Sequence, residues 1–370
     1  MTFSFCACIL KSKRRIMVQK FLISYRGNNI AHSLITPEVE NLIDRARDLG
    51  LITRPDRYGE EETLEDLHRT LVAIDKLTEK NIPFEVVSDI NSYTQTNIHT
   101  LQGTPIIGAL PTTEHDKWLV SGDSSLYSVS ATSNVDKYYT FTTFQDFAAR
   151  DVIPMSVCDR RFLDESESTE LLTLQEAADK LIEQGIHTFF VKNSESKGPV
   201  VRGSLTDIED QIREYEPLHY ASHLIQPEVR FHYEYRVFVV GHTPVTGAGR
   251  VLSHSSLNNN GKDFMDIFTK NPSNGTPGEP TETNSTLAHR FEHFAHVFAR
   301  RFRDENPDLP NYCVDFGICT TTSGDVLPAA VEMNTLTNAG LYACNVERLV
   351  EALIETPTTL QVEKMIDYAK

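Results

Sequence analysis

N-Y-C-V-D-F-G-I-C (311–319) and V-L-P-A-A-V-E-M-N (326–334) are apolar runs separated by the polar T-T-T-S-G-D. This pattern predicts two strands joined as an antiparallel hairpin. Residues two apart in a strand share a face, so Glu332 and Asn334 point the same way. A turn near 320–325 places Asp315, inside the first strand, opposite residues 330–332. Three oxygen-bearing side chains then converge on one face. A carboxylate buried at such a position is costly unless something pairs with it. Hard divalent cations such as Mg²⁺ take oxygen ligands of this kind and complete their shell with waters and phosphates. A solvated edge strand is the plainer alternative.

Two lysines favour the first alternative. Lys192 ends the strand-like H-T-F-F-V-K-N (187–193), and Lys137 opens the segment after S-N-V-D. A metal held by few protein ligands implies nucleotide phosphates, and phosphates need cations.

Outward from the hairpin, helices and strands alternate. Strands are expected at 20–26, 82–88 and 104–110, with helices at 37–50 and 63–77. These form a small α/β layer ending near residue 125. One helix is expected over 134–151 and another over 173–185, the latter opened by a Thr173/Glu176 capping box and closed by Gly185. Thr206 and Glu209 are expected to cap a helix ending near Tyr215. H-L-I-Q (223–226) reads as a strand; E-Y-R-V-F-V-V-G (234–241) and T-G-A-G-R-V-L-S (246–253) read as a hairpin. Residues 256–286, rich in Asn, Gly, Pro, Ser and Thr, read as a long loop and candidate lid. Helices follow at 286–304, with an apolar stripe from Leu287 through Phe291 and Phe298 to Phe302, and at 345–355.

The chain has 370 residues and a formal charge of −17, from 52 acidic and 35 basic side chains. That balance opposes general nucleic-acid binding, which needs a basic footprint. No run of about 18 apolar residues predicts a membrane span. Cys6 and Cys8 lie in an expected disordered leader (1–16) ahead of Met17. Cys158, Cys313, Cys319 and Cys344 are scattered, with no disulfide or zinc spacing. A reducing, cytoplasmic setting fits, with Cys313 and Cys319 as core thiols.

Six segments in order resemble the ATP-grasp superfamily, within it the ligases of the ribosomal-protein glutamate-ligase and glutathione-synthetase type. S-N-V-D-K-Y-Y with D-V-I-P resembles the opening lysine segment and its "gipvP" turn. F-F-V-K-N resembles "vvvKP", with Asn193 where proline is usual. L-I-Q-P-E-V resembles the adenine hinge. E-Y-R-V-F-V-V-G resembles "D-i-R-v-f-V-v-g", and A-G-R-V its arginine-bearing partner. V-D-F-G-I and V-E-M-N resemble the paired strands that hold magnesium.

The resemblance covers roughly 130–355 and implies an α/β (α+β) fold of two subdomains gripping ATP: about 150–226 clamping the nucleotide and about 227–360 holding metal, within an ATP-grasp domain over 126–370. An N-terminal α/β domain would occupy 17–125. It implies ATP and two Mg²⁺ ions as cofactors. Lys137, Lys192 and Lys197 would meet phosphates. Gln226, Glu228 and Val229 would line the adenine hinge, and Glu234 would lie near the ribose. Arg236 and Arg250 would act at the γ-phosphate and acyl phosphate, and Asp315, Glu332 and Asn334 would hold metal. The implied activity joins an ATP-activated carboxylate to an amine, with small-molecule kinase and non-catalytic nucleotide-binding module as alternatives. The implied partners are small-molecule or peptide carboxylates and amines, without nucleic acid or membrane, and a homodimer is possible.

The sequence departs from the family at two loops. S-E-S-K-G-P-V-V-R-G-S is less glycine-rich, and Lys197 and Arg202 stand where backbone amides usually act. T-L-T-N-A-G-L (335–341) replaces the loop that shapes the acceptor pocket, so the acids and amines it accepts are the least transferable property. Arg26 and Asn28, after the first strand, are candidate substrate contacts. His289, His293 and His296 read as a solvated or boundary face, and Trp118 as packing.

Overall fold

The computed structural model describes residues 20–25, 37–51, 61–87, 106–108, 135–156, 172–193, 200–214, 222–270, 280–320, 326–336 and 339–367. The leader, Arg26, Asn28, Trp118, Cys158 and Lys197 lie outside these residues. The expected mixture of helices and sheets is what the chain forms.

Near the N-terminus, β1 (Phe21–Ser24) lies between β2 (Phe84–Val87) and β3 (Ile106–Gly108) in a parallel sheet. Helices α1 (Pro37–Asp48) and α2 (Glu61–Glu79) connect β1 to β2. All four β1 residues are buried, as a short continuous apolar run in a parallel sheet requires.

The expected helix over 134–151 is broken. A 3₁₀ turn (Val135–Thr140) precedes α3 (Thr142–Ala148), with Phe141 extended between them. Phe141 packs edge-on against Phe302, 5.1 Å between centroids. The Glu305 carboxylate accepts the Thr142 and Thr143 amides at 2.7 and 2.8 Å. Tertiary contacts thus supply the start that local sequence lacks.

Next come β4 (Ile153–Ser156), β5 (Leu172–Thr173), α4 (Leu174–Ile182), β6 (Phe189–Asn193), β7 (Val201–Gly203), α5 (Leu205–Glu214) and β8 (Ser222–Pro227). The strands form one sheet in the order β5-β4-β8-β6-β7. Thr173 and Glu176 make the expected capping box. The cap of α5 is displaced from the expected Thr206/Glu209. Ser204 takes that role: its amide and hydroxyl donate to Asp207 Oδ2, and its hydroxyl accepts the Asp207 amide at 3.3 Å. Ser204→Ala is expected to cost about 1 kcal/mol, and Thr206→Ala, on an exposed residue, a few tenths. Parallel urea melts of the two variants check this; equal losses would return the cap to Thr206.

The second large sheet has the order β10-β9-β13-β14, from β9 (His232–Val240), β10 (Thr243–Gly249), β13 (Tyr312–Thr320) and β14 (Val326–Asn334). Between its hairpins, 256–286 is not one loop. It holds a 3₁₀ turn (Ser256–Asn258) and the antiparallel pair β11 (Ile267–Thr269) and β12 (Thr281–Thr283). Glycine makes this possible. A Cβ at Gly249 would stand 2.7 Å from the Ile267 carbonyl oxygen, so only glycine lets the ribbon lie on β10. Phe268 is fully buried. Residues 271–279 of the expected 256–286 lid lie outside the described residues.

Helix α6 (Ser285–Glu305) lays its aromatic stripe on one face of this sheet, where Tyr235, Val237, Tyr312, Val314 and Phe316 point. Phe291, Phe298 and Phe302 are fully buried and contribute about 1.5–3 kcal/mol each. His289, His293 and His296 are exposed, as read. The opposite face carries Phe238, Val240 and Cys313 into a core shared with β1, α2 and α7 (Val346–Asp367). Helix α7 was expected to end at 355 and instead continues to Asp367.

Candidate active site

The site begins with register. Arg236 on β9 pairs with Asp315 on β13, which pairs with Glu332 on β14. Directly opposed residues share a face, so three charged side chains stand abreast on the face away from α6. The pairing expected for Asp315 near 330–332 is met at Glu332.

Arg236 grips Asp315 with two parallel bonds, Nε to Oδ1 and Nη2 to Oδ2, each 2.7 Å. Its Nη1 donates to the Gly340 carbonyl at 3.0 Å, and the guanidinium lies 4.4 Å from the Tyr342 ring centroid. Asp315 is 0% and Arg236 6% exposed. Burial pushes the Asp315 carboxyl upward, and the Arg236 fork opposes that push. Burial alone would lower Arg236; the Asp315 carboxylate raises it well above the ordinary arginine value.

Glu332 faces the other large sheet. Lys192 Nζ, at the end of β6, sits 2.7 Å from its Oε2. Asn334 Nδ2 donates to Oε1 at 3.2 Å. Burial works against Glu332 ionising, yet Lys192 outweighs it and holds the carboxyl down at about 2. The Lys192 ammonium also lies 5.4 Å from the Tyr138 ring centroid. Lys192, Glu332 and Asn334 are thus brought together across two sheets.

Glu234 and Arg250 form a second pair at the row's edge, with Arg250 Nη1 3.1 Å from Glu234 Oε2. Burial raises the Glu234 carboxyl, with Asp315 adding to the effect and Arg250 opposing it. Strand β10 ends at Gly249, short of the expected 253, so Arg250 follows it with a side chain 40% exposed. Gln226 is buried on β8. Glu228 is exposed, and its amide donates to the Thr188 carbonyl at 3.0 Å, so that donor is already used. Val229 is half-buried beside it. Lys137 lies in the 3₁₀ turn before α3; its side chain is outside the described residues. Arg202, on β7, is exposed, 6.0 Å from the Phe190 centroid.

Two residues escaped the sequence reading. Glu65 on α2 accepts the Leu341 amide at 2.5 Å, joining the N-terminal layer to the loop after β14. Burial pushes it up to about 7, with the Leu341 amide and Arg236 pulling the other way. Arg150, after α3, reaches both large sheets. Nothing local marks Glu65, whereas Arg150 was visible only as a cation directly before D-V-I-P.

Magnesium fits this donor set on one side. Glu332, 30% exposed at its side chain, and Asn334 offer oxygens to the cleft. The Arg236 fork uses one lone pair of each Asp315 oxygen and leaves the second. Among the described residues, no group of three or more His, Cys, Asp or Glu is gathered as a ready metal cage. Phosphate oxygens and water would have to complete the shell, the usual arrangement for this ion.

No protein-family model matches the chain, and no curated protein does. Among solved structures, it is similar to a D-alanine–D-alanine ligase from Bacillus anthracis, with 10% identity and a TM-score of 0.49 over 94% of this chain and 99% of that one. The corresponding ligase from Coxiella burnetii gives 14% and 0.46, over 95% and 100%. D-cycloserine synthetase DcsG gives 13% and 0.45, over 91% and 99%. Likeness at this level carries nothing about the site, whose chemistry rests on the side chains described above.

Proposed function

We propose that the chain is an ATP-grasp enzyme, an ATP- and Mg²⁺-dependent ligase that activates a carboxylate as an acyl phosphate and joins it to an amine. The supporting observation is the 2.7 Å contact between Glu332 and Lys192. A carboxylate suited to a hard cation, on one sheet, meets an ammonium suited to phosphate, on the other. The six motif segments in family order support the same reading.

The roles follow from placement. Glu332, Asn334 and the second lone pairs of Asp315 would hold the ion, which would supply Lewis-acid charge at the phosphate oxygens. Lys192 exchanges Glu332 for phosphate. Arg236, fixed by Asp315 and Gly340, offers a rigid positive charge beside the 339–342 loop. Arg250, paired with Glu234 but more exposed, is the cation placed to follow the transferring group. A substrate carboxylate oxygen attacks the γ-phosphorus as the bond to ADP breaks. The amine nitrogen then attacks the acyl carbon, phosphate leaves with the C–O electron pair, and the nitrogen loses a proton. Preorganised charge supplies most of the acceleration. The acceptor pocket would be shaped by the 335–341 loop, as the resemblance implies. The division into an N-terminal layer over 17–125 and a gripping module over 126–370 belongs to the same proposal. So does a cytoplasmic setting, with which the free buried thiols of Cys313, Cys319 and Cys344 agree. No helix among the described residues is long and apolar enough to cross a membrane.

Hydroxylamine tests the reaction class. Purified protein with Mg·ATP and pools of amino acids and short peptides is expected to release ADP and, with hydroxylamine, to form a hydroxamate. ADP without hydroxamate would favour a kinase. ADP from no pool would remove the enzymatic reading.

A further inference from the structure

Strand β14 is irregular where it matters. Ala330 pairs with Phe316 and Glu332 with Asp315, leaving Val331 without a partner on β13. Such a bulge puts two residues against one and re-aims the side chain that follows. In a regular strand the carbonyls of consecutive residues point to opposite edges. Here the Ala330 and Val331 carbonyls both accept from one guanidinium, Arg150 Nη1 at 2.7 Å and Nη2 at 3.0 Å.

The same guanidinium reaches the other sheet. Its Nε donates to Gln226 Oε1 at 3.0 Å, and Nη1 also donates to the Ala148 carbonyl at 2.8 Å. One face lies 4.9 Å from the Phe231 ring centroid. That ring rests on Gly317, where a Cβ would come within 2.7 Å of it. The turn into Arg150 is made by Ala149 in the left-handed region, at φ 55°, a conformation unfavourable for a residue with a Cβ. Arg150 is 9% exposed, and among the described residues no carboxylate pairs with it. Burial lowers its pKa to about 10. Among the described residues its hydrogen bonds go to carbonyls and one amide, with the Glu332 charge acting from further off, and a charge buried this way is costly as packing alone.

We propose that Arg150 is a positioning residue: it holds the Val331 bulge that aims Glu332 across the cleft and ties it to Gln226 on the facing sheet. The proposal rests on the reading that Glu332 and Gln226 serve one nucleotide–metal site. Arg150 touches no reacting atom and acts through those two residues. Lysine cannot replace its planar fork, which serves both sheets at once.

The full chain is compared with Arg150→Met and Arg150→Lys in two arms. Without ligand, amide hydrogen exchange is followed at 224–227 and 330–334, with 235–239 as reference. Arg150→Met is expected to speed exchange at both test segments together, Arg150→Lys less so, and neither at the reference. Wild-type protection at either test segment in Arg150→Met would overturn the tie. In the second arm, ADP is titrated with and without Mg²⁺. Arg150→Met is expected to weaken metal-free ADP binding through the loosened Gln226 hinge and, beyond that, to lose about tenfold of the Mg²⁺-dependent gain in affinity. A lower melting temperature with the full Mg²⁺-dependent gain would reduce Arg150 to a structural role and overturn the proposal. If the wild type binds no ADP, the nucleotide reading fails, and the exchange arm alone decides whether Arg150 holds the bulge.

Discussion

Arg236→Met is expected to lower the unfolding free energy by about 3–5 kcal/mol at pH 8, because it leaves the Asp315 carboxylate buried without its partner. The pH dependence identifies the cause. With the guanidinium gone, burial holds the folded-state pKa of Asp315 above its unfolded value, near 3.8. The folded variant then binds the proton more tightly than the unfolded chain, so its stability falls as pH rises through that interval. The deficit against wild type should shrink at acid pH, and Asp315→Asn should recover part of it. Denaturant melts at several pH values measure both effects. Equal stability of wild type and Arg236→Met at pH 8 would remove the buried pair from the account.

Glu332→Gln is expected to cut turnover by about 10²-fold or more, the scale seen when one electrostatic stabiliser is lost, with far-UV circular dichroism unchanged. The amide keeps the shape and loses the charge, so Mg²⁺-dependent tightening of ADP should fall, while ADP alone binds at least as tightly because Lys192 is released from its ion pair. The proton linkage offers an independent check. The folded pKa is depressed from 4.5 to about 2, so Glu332 contributes stability that is present above pH 4.5 and lost as pH falls toward 2. The glutamine variant should lack that part of the acid slope. If Glu332→Gln and Asp315→Asn both keep full activity with ATP, the metal assignment is wrong.

Legibility in the sequence followed the range of the interaction. The 311–334 hairpin announced itself through two apolar runs and a polar turn, and its register put Asp315 opposite Glu332 as expected. Thr173 and Glu176 were legible because a capping box closes within three residues. Ser204 was passed over for Thr206, two positions on, since both lie in a polar stretch and only the backbone distinguishes them. The break at Phe141 depends on Phe302 and Glu305, about 160 residues away along the chain, and nothing local marks it. The pairing of β11 with β12 was hidden by composition: its order comes from backbone laid on Gly249 rather than from an apolar run. The meeting of Lys192 with Glu332 spans 140 residues; the family resemblance put both at one site but did not pair them. Glu65 and, apart from Gln226, Arg150 bond backbone groups of distant loops and strands, contacts that leave little for a side-chain pattern to find.

The four-stranded sheet lays one row of rings under α6 and carries its charged row on the other face. Its two hairpins are remote in sequence: Arg236 and Asp315, where they meet, are 79 residues apart. A one-residue slip in that docking would turn every side chain of one hairpin to the wrong face. Arg236 would enter the layer of Tyr235, Phe291 and Phe298, and Tyr235 would enter the cleft. Misdocked pairings of the hairpins are therefore penalised by a stranded cation and a stranded ring together. The charged row serves as an assembly key, present before any ligand arrives, that admits one alignment of two separately made halves.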